Sequence, residues 1–292
     1  MAVCKKPYMV GALAYGCGQC LPCRINHGRQ WTWRQVLESY CYEHNCFVTL
    51  TYNLGSRPGN WALQPRDVQL WLKRIRKAIS PATFRFFLCG EYDDNGNPHY
   101  HLSLFGVSGY QRFNGVLFGD HVERCWGLGF VYVAEFNEAT AQYVCGYTTK
   151  KLRDRKNGLE WNYPEFARMS NRPGLGQPAV KILAADLLRS YQDWESGDVP
   201  NSVLVGKRSI GLGRYLLREL REAVGFTPEY IDGIKQDRSM ETSIDLLSLF
   251  QNSEGSLTFK EAHAKSIAQK ILQTEARYKI WQSKHPYQRK LR

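Results

Sequence analysis

Two runs rich in β-branched and aromatic residues, Phe84 to Glu91 and Tyr100 to Phe105, bracket the turn-forming stretch Asp93-Asp94-Asn95-Gly96-Asn97-Pro98. That pattern predicts a β-hairpin folded about the Asn-Gly pair. Alternate residues of a strand share one face, so His99 and His101 stand on the same side of the sheet. With the turn centred on Asn95, Glu91 falls opposite His99 and its carboxylate reaches the same point in space. The set is then two imidazoles and one carboxylate with open positions, the arrangement of a catalytic metal site rather than a closed structural one. An isolated His-x-His on a solvated strand face is the plainer alternative.

A second segment, Ala141-Gln142-Tyr143-Val144-Cys145-Gly146-Tyr147-Thr148-Thr149-Lys150-Lys151, weighs against the plainer alternative. Asn137 is placed to cap a helix on which Tyr143 and Tyr147, four apart, are neighbours, with Lys150 and Lys151 about a turn further on. A tyrosine pair at this spacing commonly belongs to a core, but a core stripe is not normally continued by adjacent lysines. Metal, phenol and ammonium together suit cleavage of a nucleic-acid backbone. Donors of mixed nitrogen and oxygen type fit Mg²⁺ or Mn²⁺.

Composition narrows the partner. The 292 residues carry a formal net charge of +12 and are 13% aromatic. The charge calls for an anionic partner and the rings offer stacking surfaces, which together favour single-stranded DNA. Neither a signal-peptide core nor an apolar run long enough to span a bilayer is seen, so no membrane role and a cytoplasmic location are expected. Nine cysteines, an odd number, argue against a disulfide framework. Cys4 with Cys17-x2-Cys20-x2-Cys23 offers four thiolates suited to structural Zn²⁺, with free thiols and an iron–sulfur cluster as alternatives. Cys41, Cys46, Cys89, Cys125 and Cys145 read as small buried hydrophobes.

Hydrophobic periodicity orders the rest. Helices are expected over 24–45, 64–79, 181–191 and 213–224, and strands over 47–52, 84–91, 99–105 and 130–136. Irregular structure is expected over 117–128, a long loop over 154–180 and a turn-rich connection over 226–239. The order is that of an α+β fold with a ferredoxin-like or RRM-like antiparallel sheet, Phe47 to Tyr52 at its centre beside the metal hairpin. Four segments follow: a Cys-rich region over 1–30, a catalytic core over 31–160, a loop and helices over 161–225, and a basic helical region over 226–292. The last 37 positions hold nine Lys or Arg against two Glu, a density suited to phosphate contact. Arg24, Arg29 and Arg34 line one side of the first helix as further candidates for DNA contact. No feature sets an oligomeric state.

Phe47-Val48-Thr49-Leu50-Thr51-Tyr52, His99-Tyr100-His101 and the Tyr143 to Lys150 helix occur in the order of the three motifs of HUH endonucleases that initiate rolling-circle replication. The chain resembles most the initiators of gokushovirus-type Microviridae, small circular single-stranded DNA phages. The cysteine-rich start and Met169-Ser170-Asn171-Arg172-Pro173-Gly174-Leu175-Gly176 share that look, which adds Arg172 to the DNA-binding candidates. The resemblance covers roughly residues 1 to 220. It implies an HUH fold, attack of a tyrosine on origin DNA to leave a 5′-phosphotyrosine and a free 3′-OH, later rejoining, host replication proteins as partners, and action in the host bacterial cytoplasm. Gly146 stands where a lysine would follow Tyr143, whereas Tyr147 keeps its Lys150, so Tyr147 is the expected first nucleophile and Tyr143 the second. An HUH transposase or plasmid initiator, or a noncatalytic nucleic-acid-binding protein, are the competing readings. No phosphate-binding loop of a helicase occurs.

Overall fold

The computed structural model of the chain describes residues 4, 8–10, 13–59, 61–93, 95–150, 163–190, 197–252, 255 and 257–284. Two compact units emerge, one of Gly28–Ile182 and one that joins Met1–His27 to Leu183–Arg292. Short strands β1 (Tyr8–Val10) and β2 (Leu13–Tyr15) form a hairpin ahead of helix α1 (Leu21–Ser39). Then come β3 (Asn45–Thr51), α2 (Pro65–Ala78), β4 (Arg85–Tyr92), β5 (Pro98–Phe105), the small hairpin β6 (Arg112–Phe113) and β7 (Val116–Leu117), and α3 (Phe118–Trp126). These are followed by β8 (Val131–Glu135), α4 (Glu138–Lys150), β9 (Phe166–Met169) and α5 (Gln177–Ser190). The second unit continues with a hairpin of β10 (Ser202–Val205) and β11 (Arg208–Gly211), then α6 (Gly213–Ala223), α7 (Pro228–Gln251) and α8 (Phe259–Lys284).

The sheet has five strands in the order β8-β3-β5-β4-β9, every neighbouring pair antiparallel. This is the α+β, antiparallel arrangement with flanking helices expected from the sequence, compatible with an HUH or RRM-like fold. Four local expectations are corrected. The central strand is β5, with β3 beside it. The stretch 117–128 contains α3, because Phe118, Val122 and Trp126 recur every four residues and are buried. Gly127, at φ 64°, is the left-handed residue that ends this helix rather than a sign of irregularity. Within 154–180, Phe166 to Met169 adds β9 to the sheet edge and α5 starts at Gln177. The connection over 226–239 is the first half of α7, capped by Thr227 and opened by Pro228.

The alternation of side chains divides the sheet into two faces with different tasks. Val48, Leu50, Leu88, Tyr100, Leu102 and Leu104 point to the face that packs on Val68, Trp71, Leu72 and Ile75 of α2 and on α3, forming the main core. Tyr100, between the two histidines, belongs to this side: its hydroxyl bonds to the carbonyl and N–H of Gln64 at 2.9 and 2.8 Å and meets the Tyr52 hydroxyl at 3.0 Å. Burial pushes the Tyr100 phenol up to about 12, so it serves as a fixed neutral anchor. Two glycines are dictated by close approach. A Cβ on Gly90 would sit 2.6 Å from the Phe166 ring, and one on Gly129 would sit 2.3 Å from the Thr51 carbonyl oxygen.

The opposite face carries Phe47, Thr49, Thr51, Phe87, Cys89, Glu91, His99, His101, Ser103 and Phe105, by the register of β3, β4 and β5. Trp31 of α1 meets Phe87 at 5.4 Å between ring centroids, and Gln35 of α1 bonds the Cys145 sulfur of α4 at 2.9 Å. The Glu38 carboxylate, buried, takes the Arg85 guanidinium at 2.5 Å and the Gly176 N–H at 2.6 Å. Cys46, Cys89 and Cys145 are buried as expected, whereas Cys41 and Cys125 are half-buried. Among the described residues, no helix is long and apolar enough to cross a membrane.

Candidate active site

The hairpin register sets Glu91 directly opposite His99 and Cys89 opposite His101. The same parity on β3 sets Thr51 opposite His99 and Thr49 opposite His101. One ligand atom from each of Glu91, His99 and His101 lies within 4.8 Å of the others. Glu91 Oε1 is 2.7 Å from His99 Nε2 and 3.0 Å from His101 Nε2. The other ring nitrogens are held by the protein: His99 Nδ1 faces the Asn97 carbonyl at 3.2 Å and His101 Nδ1 faces the Thr49 hydroxyl at 2.9 Å. Outer contacts of this kind turn both Nε2 atoms toward the carboxylate, as ligating histidines require.

Whether a divalent cation fits can be judged from the carboxylate. Glu91 is 1% exposed, and its Oε2 makes no hydrogen bond among the described residues. A buried carboxylate oxygen left so is costly unless a cation answers it. The donor set of two imidazole nitrogens and a carboxylate oxygen suits such an ion. Burial alone would lower the His99 pKa, but the hydrogen bond and charge of Glu91 outweigh it and raise His99 above its ordinary value.

Helix α4 reaches this centre. Its N-terminus is closed by a reciprocal pair in which the Thr140 N–H donates to Asn137 Oδ1 and the Asn137 N–H donates to the Thr140 hydroxyl, both at 2.9 Å. Two turns on, the Tyr143 ring lies 5.0 Å from His101 and 6.2 Å from Phe47, edge-on to both, and is 36% exposed. Phe47 also stacks on His101 at 5.6 Å. Tyr147 and Lys150 are positions on the same helix whose side chains lie outside the described residues, as does Lys151 altogether.

Several groups around the site escape a reading of the sequence. Thr49 is one, since its link to His101 depends on β3 lying beside β5. Tyr132 of β8 pairs with Thr49 on the same face, and Phe130 precedes β8 beside Thr51, whose N–H it accepts at 2.9 Å. Both rings are open to solvent, Phe130 at 73% and Tyr132 at 62% exposure. A pocket of about 140 Å³ adjoins His99, lined also by Thr51, Tyr52, Arg57, Asp93, Asn97 and Pro98. The Arg57 guanidinium lies 4.1 Å from the Trp61 ring. Among the arginines singled out by sequence, Arg29 on α1 and Arg172 after β9 are exposed. Arg34 is instead engaged with the Leu175 carbonyl at 2.8 Å and the Trp31 ring at 4.2 Å. Arg24 and the four N-terminal cysteines belong to the other unit.

Residues 45–152, the span from β3 through α4 that holds all three ligands and both tyrosines, match the family of replication-associated proteins described under the name ORF2. The chain is 29% identical to Replication-associated protein ORF2 of Spiroplasma virus 4, over 54% of this chain and 55% of that protein. It is 26% identical to Replication-associated protein VP4 of Bdellovibrio phage phiMH2K, over 65% of this chain and 70% of that protein. The match thus spans little more than half the length of the first of these relatives. No solved structure gives a significant match.

Proposed function

We propose that the protein initiates rolling-circle replication of a small single-stranded DNA phage by nicking and rejoining origin DNA. The observation that carries this reading is the convergence of Glu91, His99 and His101 on one point with the Tyr143 ring against His101. The similarity to two phage replication-associated proteins supports it.

In this reading Glu91, His99 and His101 hold Mg²⁺ or Mn²⁺, which when bound withdraws charge from the scissile phosphate and its leaving oxygen. Asn97 and Thr49 keep the two imidazoles oriented. The strand is held by its phosphates against Arg57, Arg29 and Arg172 and by its bases on Phe130 and Tyr132. The phenol oxygen of Tyr147 attacks phosphorus as the bond to the 3′ oxygen breaks, giving a 5′-phosphotyrosine and a free 3′-OH. An unperturbed phenol titrates near 10, so Lys150 offsets the charge of the attacking phenolate. Tyr143, one turn away, makes the second cut, and the 3′-OH then closes the circle by the reverse displacement. Each exchange conserves a phosphoester bond, so no nucleotide need be hydrolysed.

The test is to incubate the full chain with end-labelled single-stranded genome fragments and Mn²⁺, then run a denaturing gel. A labelled band that survives denaturation and disappears with EDTA supports the reading. DNA retained on native gels, with no cleavage and no covalent band across the whole genome, would leave a binding protein instead.

A further inference from the structure

A second group of ligand-type side chains stands apart from the site just described. The sulfurs of Cys4, Cys17, Cys20 and Cys23 all lie within 4.8 Å of one another. Those of Cys4 and Cys20 are 3.8 Å apart, and none of the four is in a disulfide. Four metal–sulfur bonds of about 2.3 Å directed to the corners of a tetrahedron set the sulfurs about 3.8 Å apart. An iron–sulfur cluster distributes its cysteine ligands over separate iron atoms and needs a wider cage. The spacing here is that of one ion.

The backbone is arranged for anionic sulfur. The Cys17 N–H donates to Cys4 Sγ at 3.2 Å and the Cys20 N–H donates to Cys17 Sγ at 3.4 Å. Gly18, at φ +73°, turns the chain between Cys17 and Cys20. A Cβ on Gly16 would stand 3.0 Å from Cys23 Sγ, so glycine leaves the sulfur its space. Along the chain, Cys4 precedes the β1–β2 hairpin, Cys17 and Cys20 follow it, and Cys23 lies in the first turn of α1. Strands of three residues do not hold a hairpin together in water on their own.

We propose that Cys4, Cys17, Cys20 and Cys23 bind one structural Zn²⁺ as four thiolates, fastening both ends of the β1–β2 hairpin to the start of α1. All four positions of the ion are filled by the protein, which makes the site closed and leaves no place for substrate. Soft thiolates select zinc where the mixed donors of Glu91, His99 and His101 select a harder ion, so the two centres sort different metals. The inference does not depend on the nicking reading.

Elemental analysis of the full chain, purified under reducing conditions, tests it. The His99→Ala/His101→Ala variant serves as background, so that metal at the sheet is not counted. About one zinc per chain is expected in this background, kept in Cys41→Ser/Cys125→Ser and lost in Cys17→Ser/Cys20→Ser. Because the last variant can lose its fold for other reasons, Co²⁺ is exchanged into the chain with all four cysteines. Intense visible bands of tetrahedral cobalt with sulfur-to-cobalt charge transfer are expected. Zinc-free protein whose four thiols react at once with a thiol reagent under native conditions would overturn the proposal. Iron with acid-labile sulfide would overturn it equally.

Discussion

Glu91 and His99 face each other across the β4–β5 hairpin with the carboxylate oxygen 2.7 Å from the imidazole nitrogen, and the same oxygen lies 3.0 Å from His101. One carboxylate therefore serves both rings and leaves its second oxygen for a cation. Glu91→Gln keeps the shape and removes the charge. Metal affinity measured by titration calorimetry should fall by about tenfold or more, with circular dichroism unchanged. Unaltered Mn²⁺ binding in the variant would remove Glu91 from the ligand set.

Thr49 acts one step further out. Its hydroxyl meets His101 Nδ1 at 2.9 Å and so sets which nitrogen faces the metal. Thr49→Val keeps the branched shape on β3 and deletes that hydrogen bond. A loss of about tenfold in metal affinity is expected, partly recovered in nicking assays by raising Mn²⁺. If excess metal restores nothing, the hydroxyl matters for something other than holding the imidazole.

Phe130 and Tyr132 are exposed aromatics in line with the site across Thr51 and Thr49. Two strand spacings separate Tyr132 from His101, about 10 Å, within reach of nucleotides flanking a phosphate at the metal. Replacing each ring by alanine should weaken single-stranded DNA binding by about 1–3 kcal/mol per stacked base. Fluorescence anisotropy with a labelled oligonucleotide measures this directly. Affinity equal to the parent in the double variant would place the DNA elsewhere.

The buried Glu38 carboxylate ties β4 to the turn before α5 through Arg85 and the Gly176 N–H. Glu38→Ala leaves the guanidinium and the N–H without their acceptor, and removing one partner of a buried pair costs about 3–5 kcal/mol. Denaturant melts of the two proteins report the difference; a loss below about 1 kcal/mol would mean that water replaces the carboxylate.

Much of this site was legible before the fold. The Asn-Gly turn and the two-residue alternation of His99 and His101 bring Glu91 opposite His99, and the Asn137 cap with a four-residue tyrosine spacing yields α4. What escaped depends on distant partners. Phe166 to Met169 is a strand only because β4 offers its edge, and the glycines and proline nearby imitate a loop. Thr49 and Tyr132 acquire their roles from the strand order β8-β3-β5, which no local pattern encodes. The helix α3 was masked by glycines at 119, 127 and 129, of which Gly127 ends the helix and Gly129 passes against the Thr51 backbone.

The most direct measurement is the site of covalent attachment. After cleavage of single-stranded origin DNA with Mn²⁺, nuclease trimming and proteolysis, peptide mass spectrometry locates the nucleotide-bearing tyrosine. The account predicts a 5′-nucleotide on Tyr147 in the first turnover, absent in Tyr147→Phe, while Tyr143→Phe still makes the first nick and fails in the second cut. An adduct on Tyr143 alone would exchange the two roles. A cleaving protein with an adduct on neither α4 tyrosine would contradict the account.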